Sequence, residues 1–130
     1  MSEHPNAILI RKGYQAFNTG DVATLMELFD EDVVEHQPGN NVMAGEYKGR
    51  DAVLGFYGRL AQETNGTFRA ELERVLANDT RVVTLHHSTA ERNGKRLDCR
   101  TSLVFQLRDG KAVDIDTCDE DPSAWDEFFA

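Results

Sequence analysis

At 130 residues the chain is long enough to bury a real core but too short for two ordinary domains, so one domain is expected over residues 1–130. Its 40% hydrophobic and 28% charged residues are globular values, and no run approaches the roughly 20 apolar residues that a membrane crossing requires. The net charge of −9, from 23 acidic against 14 basic side chains with no local basic patch, argues against a nucleic-acid partner, because a phosphate backbone is repelled by such a surface.

In chain order, Met1 to Asn6 offers neither a basic nor an apolar leader segment, so a cytoplasmic location is expected. Ile10, Tyr14 and Phe17 recur at i, i+4, i+7 and predict a first helix that Gly20 ends. Asp21 then caps a second helix with the face Val22, Leu25, Met26, Leu28 and Phe29. Val33 to Gln37 is β-branched at its start and stopped by Pro38-Gly39, which predicts a brief strand followed by an irregular loop to Gly49. From Gly49-Arg50-Asp51 a third helix carries Val53, Phe56, Tyr57, Leu60 and Ala61 on one face.

Near Thr67 the period changes to two, Phe68, Ala70 and Leu72 alternating with Arg69, Glu71 and Glu73. Turn signals at Asn78-Asp79, Asn93-Gly94 and Asp109-Gly110 divide the remainder into strands at about 80–91, 95–107 and 111–119, an antiparallel meander. In the second of these, Leu97, Cys99, Thr101, Leu103, Phe105 and Leu107 share the face that meets the helices. Cys99 and Cys118 are too few for a disulfide framework and lack Cys-x-x-Cys spacing, so they read as free thiols and no zinc is expected. Asp114, Asp116, Asp119, Glu120 and Asp121 form the densest acidic stretch; without the Gly turn of a calcium loop it reads as a solvated strand end. Asp121-Pro122 starts a short terminal helix, Ser123 to Phe129, presenting Trp125, Phe128 and Phe129. The expected class is α+β: three helices packed on a curved antiparallel sheet that leaves a cavity.

This order of elements resembles the cone-shaped NTF2-like (cystatin-like) superfamily. The segments Leu28 to Gly39 leading through Gly45 to Val53, and Leu103 to Lys111, are similar to its SnoaL-like (polyketide cyclase and ketosteroid isomerase-like) branch over roughly Ala7 to Phe129. The resemblance implies a small-molecule pocket and a homodimer. It leaves the reaction open, since such proteins include isomerases, cyclases, epoxide hydrolases, dehydratases and non-enzymatic binding modules. Ketosteroid isomerases carry their aspartate base where Gln37 stands here, and an amide abstracts no proton. The His and Asp of SnoaL-type cyclases fall on Leu103 and Thr117, while a one-residue shift brings in Asp116 instead.

Glu35 shares a strand face with Gln37, and burial in the cavity would raise its pKa toward that of a general base. Of the pair His86-His87, one imidazole faces the cavity; Val83 and Leu85 share a face with His87, which favours His87 inside. Glu35, His87 and Asp116 are therefore the candidate catalytic groups, and Tyr14, Phe17, Gln37, Phe56, Tyr57, Leu103 and Phe105 the candidate pocket, with no cofactor and no metal. The expected activity is acid/base chemistry on a small apolar or polycyclic molecule. The alternative is a ligand-binding or dimeric interaction domain. Val82, Ser88, Ser102 and Val104 are assigned to the outer sheet face for dimerisation, with Asp98 and Arg100 pairing across it.

Overall fold

The computed structural model describes residues 3–130. Four helices and six strands follow in the order α1 (Pro5–Thr19), α2 (Val22–Leu28), β1 (Phe29–Gln37), β2 (Gly45–Lys48), α3 (Arg50–Glu63), β3 (Arg69–Ala77), β4 (Arg81–Arg92), β5 (Lys95–Arg108), β6 (Lys111–Asp119) and α4 (Pro122–Phe128). No helix among the described residues is long and apolar enough to cross a membrane.

The helix ends follow their local chemistry. Gly20 closes α1 at φ 73°, a left-handed conformation that costs glycine little. The Asp21 carboxylate accepts from the Thr24 backbone N–H at 3.2 Å, and Asp121 accepts from that of Ala124 at 3.3 Å, with Pro122 at the first helical position. Caps of this kind contribute about 1 kcal/mol each.

The strands form one sheet in the order β2-β1-β6-β5-β4-β3. Strands β3 to β6 are the antiparallel meander; its two tight turns place Asn93-Gly94 at φ 52° and 76° and Asp109-Gly110 at 53° and 76°, the two-residue turns whose twist suits paired strands. The sheet departs from the purely antiparallel expectation at one place: β1 runs parallel to β6, with Glu35 opposite Ile115 and His36 opposite Asp116. Strand β1 begins at Phe29, earlier than its polar sequence Asp30-Glu31-Asp32 suggests, and β2 occupies part of the expected loop.

Helix α3 packs on β1 and β2, α1 on β3 and β4, α2 on β1 and β6, and α4 on β5, and residues of all four line one cavity on the concave face. Ile10, Val33, Val53, Val82, Leu97, Ile115 and Phe129 are almost fully buried between them. The outer face differs in detail from expectation. Val82 and Ser88 turn inward and are fully buried, whereas Val83 is exposed on the other side. Asp98 pairs with His87, and Arg100 donates to Glu73 at 2.7 Å, both within the chain.

Candidate functional site

The concave face of the sheet and the inner faces of α1 and α3 enclose a pocket lined by Glu35, Tyr14, Phe17, Gln37, Phe56, Tyr57, Leu103 and Phe105, together with His86, Thr101, Thr117 and Trp125. The wall is largely aromatic. Phe17 meets Tyr57 edge to face at 5.2 Å between ring centroids, and Phe56 lies 5.7 Å from Tyr57.

Glu35 is 3% exposed, projecting from β1 into this wall. Its one hydrogen-bond partner among the described residues is Tyr57, whose hydroxyl donates to Oε1 at 2.6 Å. Burial pushes the carboxyl from its ordinary 4.5 up to about 7; the Tyr57 hydrogen bond and His36 pull it back only in part. Burial likewise drives the Tyr57 phenol well above its usual range, reinforced by the charge of Glu35. Among the described residues no basic side chain pairs with this carboxylate within 4 Å, so its charged form is held by one neutral donor.

A second polar group belongs to α1 and β4. The Tyr14 hydroxyl lies 2.6 Å from His86 Nδ1 and 2.8 Å from Thr84 Oγ1. His86 Nε2 lies 3.1 Å from Ser88 Oγ, which is 3.5 Å from Thr101 Oγ1, and Thr101 donates to Asp119 Oδ1 at 2.9 Å. A single direction of donation satisfies the series: Thr84 to Tyr14, Tyr14 to Nδ1, Nε2–H to Ser88, Ser88 to Thr101, Thr101 to Asp119. It requires a neutral imidazole, and burial lowers the His86 pKa from 6.5 to about 4. Burial also raises the Asp119 carboxyl at the far end.

Among the described residues, three buried polar atoms of the lining have no partner, Gln37 Nε2, Thr117 Oγ1 and Trp125 Nε1. Of these, Gln37 and Thr117 follow the paired His36 and Asp116 by one position on the neighbouring parallel strands β1 and β6. A buried donor without a partner costs about 1–3 kcal/mol, so a ligand oxygen reaching either atom would recover that loss.

Two sequence assignments are corrected. His87 is on the outer face, paired with Asp98, and Asp116 is exposed on the outer face near His36. The reason is that β4 turns Thr84, His86 and Ser88 inward and leaves the more apolar Val83 and Leu85 outside, so apolarity pointed to the wrong face. On β6, Ile115 and Thr117 point inward, and Thr117 lies opposite Leu103. Sequence reasoning weighed His86 against His87 and Thr117 against Asp116 without choosing them, and did not bring Thr101 or Asp119 to the site. The usable signal was the alternation Thr84, His86, Ser88, three hydrogen-bonding residues on one strand face.

A family model described as SnoaL-like domain matches residues 10–115. An uncharacterized protein of Mycobacterium tuberculosis is 33% identical over 100% of both chains. Bal32a, from a soil-derived mobile gene cassette, is 48% identical with a TM-score of 0.94 and 96% of each chain covered. A protein of unknown function with cystatin-like fold from Xanthomonas campestris is 26% identical with a TM-score of 0.90, covering 98% of this chain and 99% of its own.

Proposed function

The chain belongs to the SnoaL-like domain family, and on that premise we propose that it binds a small, largely apolar molecule in its pocket and moves a proton on it, with Glu35 as general base. The observation that carries this reading is a carboxyl deep in an aromatic wall with its pKa near 7, where a base is both available at neutral pH and strong enough to act. Tyr57 holds Oε1, which leaves the second oxygen as the proton acceptor. Gln37 Nε2 and Thr117 Oγ1 supply donors to an oxygen of the ligand, fixing its orientation and stabilising charge that develops as the proton leaves. His86 stays neutral and, with its donor and acceptor engaged by Ser88 and Tyr14, acts as a wall rather than as an acid.

A panel of small cyclic ketones, lactones and epoxides, screened first for binding and then for conversion, tests the reading. Glu35→Gln keeps the shape and lowers turnover by roughly 10²–10⁴-fold while binding persists. Compounds that bind the wild type without conversion would leave the second reading, a ligand-binding domain. Two features favour that reading: Glu35 is already hydrogen-bonded, and an amide stands at Gln37 where similar isomerases carry a carboxylate. Homodimerisation is part of either reading, through the outer face around Val83, Leu85 and Val104. Sedimentation as a monomer at micromolar concentration would exclude it.

A further inference from the structure

We propose that His36, Asp114 and Asp116 form a binding site for a divalent first-row transition metal on the outer face of the sheet, separate from the pocket. The three residues are brought together by the parallel pairing of β1 with β6, which sets His36 opposite Asp116 and Val34 opposite Asp114. Side chains two apart on a strand share a face, so both carboxylates lie beside the imidazole.

His36 Nε2 is 2.9 Å from Asp114 Oδ1 and 3.9 Å from Asp116 Oδ1, and one ligand atom from each residue lies within 4.8 Å of the others. Ligand atoms about 2.1 Å from a tetrahedral ion lie roughly 3.4 Å apart, a spacing that these two distances bracket. The ion therefore fits with small rotations of exposed side chains. The other ring nitrogen, Nδ1, faces Glu46 Oε2 at 4.0 Å. Without an ion, Nε2–H donates to Asp114, so an ion entering the cluster displaces that proton, and the neighbouring Glu46 carboxylate then favours the N–H on Nδ1.

Charge supports the same assignment. Three carboxylates surround one imidazole, and among the described residues the only lysine or arginine within 4 Å of any of them is Lys48, 3.7 Å from Glu46. Asp114 and Asp116 have no such partner. The chain's two other histidine–aspartate pairs, His87–Asp98 and His4–Asp79, bring a single carboxylate to the ring. One imidazole with two carboxylates suits zinc, cobalt or manganese better than magnesium or calcium, which prefer oxygen alone. The side chains are 39%, 34% and 64% exposed, so water completes the coordination shell.

The test is calorimetric titration of the chelator-treated full-length chain with Zn²⁺ and Co²⁺, the visible bands of bound Co²⁺ serving as a second readout. One equivalent per chain should bind with Kd near or below roughly 10 μM. His36→Gln, Asp114→Asn and Asp116→Asn should each weaken binding at least tenfold, while His87→Gln leaves it unchanged. Each variant's circular dichroism and melting curve in chelator serves as the folding control. Should His36→Gln misfold, paramagnetic broadening of wild-type amide signals by Mn²⁺ decides, since it must centre on residues 34–36 and 114–116. Absence of saturable binding below about 1 mM, undiminished binding by folded His36→Gln, or broadening centred elsewhere would each overturn the site.

Discussion

Replacing Glu35 by glutamine should stabilise the protein at alkaline pH even as it removes the proposed base. The carboxyl has an ordinary pKa of 4.5 and sits at about 7 when folded, a gap of about 2.5 pH units. At about 1.4 kcal/mol per pH unit, ionising it inside the fold costs on the order of 3 kcal/mol. Because the folded pKa is the higher one, the native chain binds more protons than the unfolded chain between pH 4.5 and 7, and stability falls as pH rises through that window. The amide has no such loss and still accepts from Tyr57.

His86 acts in the opposite sense. Its folded pKa is lowered from 6.5 to about 4, so its contribution is fully present above pH 6.5 and is lost as pH falls toward 4. The two slopes cancel between about pH 4.5 and 6.5, and the wild-type curve alone conceals both. The informative quantity is the difference in unfolding free energy between Glu35→Gln and wild type, from urea titrations between pH 4 and 8.5. It should climb by about 3 kcal/mol and level off above pH 8. A difference that stays flat within about 0.5 kcal/mol, or a Glu35 carboxyl carbon that titrates near 4.5 by NMR, would refute the burial argument.

Tyr57→Phe deletes the hydrogen bond that favours the carboxylate, so the Glu35 pKa should move further above 7, read from the same carbon resonance. His86→Leu removes one hydrogen-bond partner from Tyr14 and one from Ser88, leaving them Thr84 and Thr101, and should cost about 1–3 kcal/mol in urea unfolding, whereas His87→Leu on the outer face should cost no more than about 1 kcal/mol. Thr117→Val removes a buried hydroxyl that has no partner among the described residues, so the melting temperature should hold or rise while affinity for carbonyl-bearing ligands falls in the binding panel.

Much of this architecture was legible because local signals agreed with the whole. The change of period at Thr67, the paired turns Asn93-Gly94 and Asp109-Gly110, and the caps Asp21 and Asp121 each act within a few residues of chain. The pairing of β1 with β6 is different, since it joins segments some 80 positions apart and leaves no local mark. Glu35 could be singled out as an acidic side chain sharing a strand face with Gln37. His86 lost to His87 because the rule that apolar faces point inward fails on a wall that carries polar groups: β4 places Thr84, His86 and Ser88 inside and Val83 outside. Asp116 was misplaced by one position, which in a strand is the difference between two faces.

The alternation along β1 and β6 also limits how such a chain can diverge. Glu35, Gln37 and Thr117 face the pocket, while His36, Asp114 and Asp116 interleave with them on the opposite surface. Gain or loss of a single codon inside either strand would reverse that order beyond the change, exporting the carboxyl to solvent and importing an imidazole and aspartates into an aromatic wall. Changes of length should therefore be tolerated at the Asp109-Gly110 turn, and between Pro38 and Ala44 only where Met43 keeps its place in the core, whereas within the strands only substitutions remain open to selection.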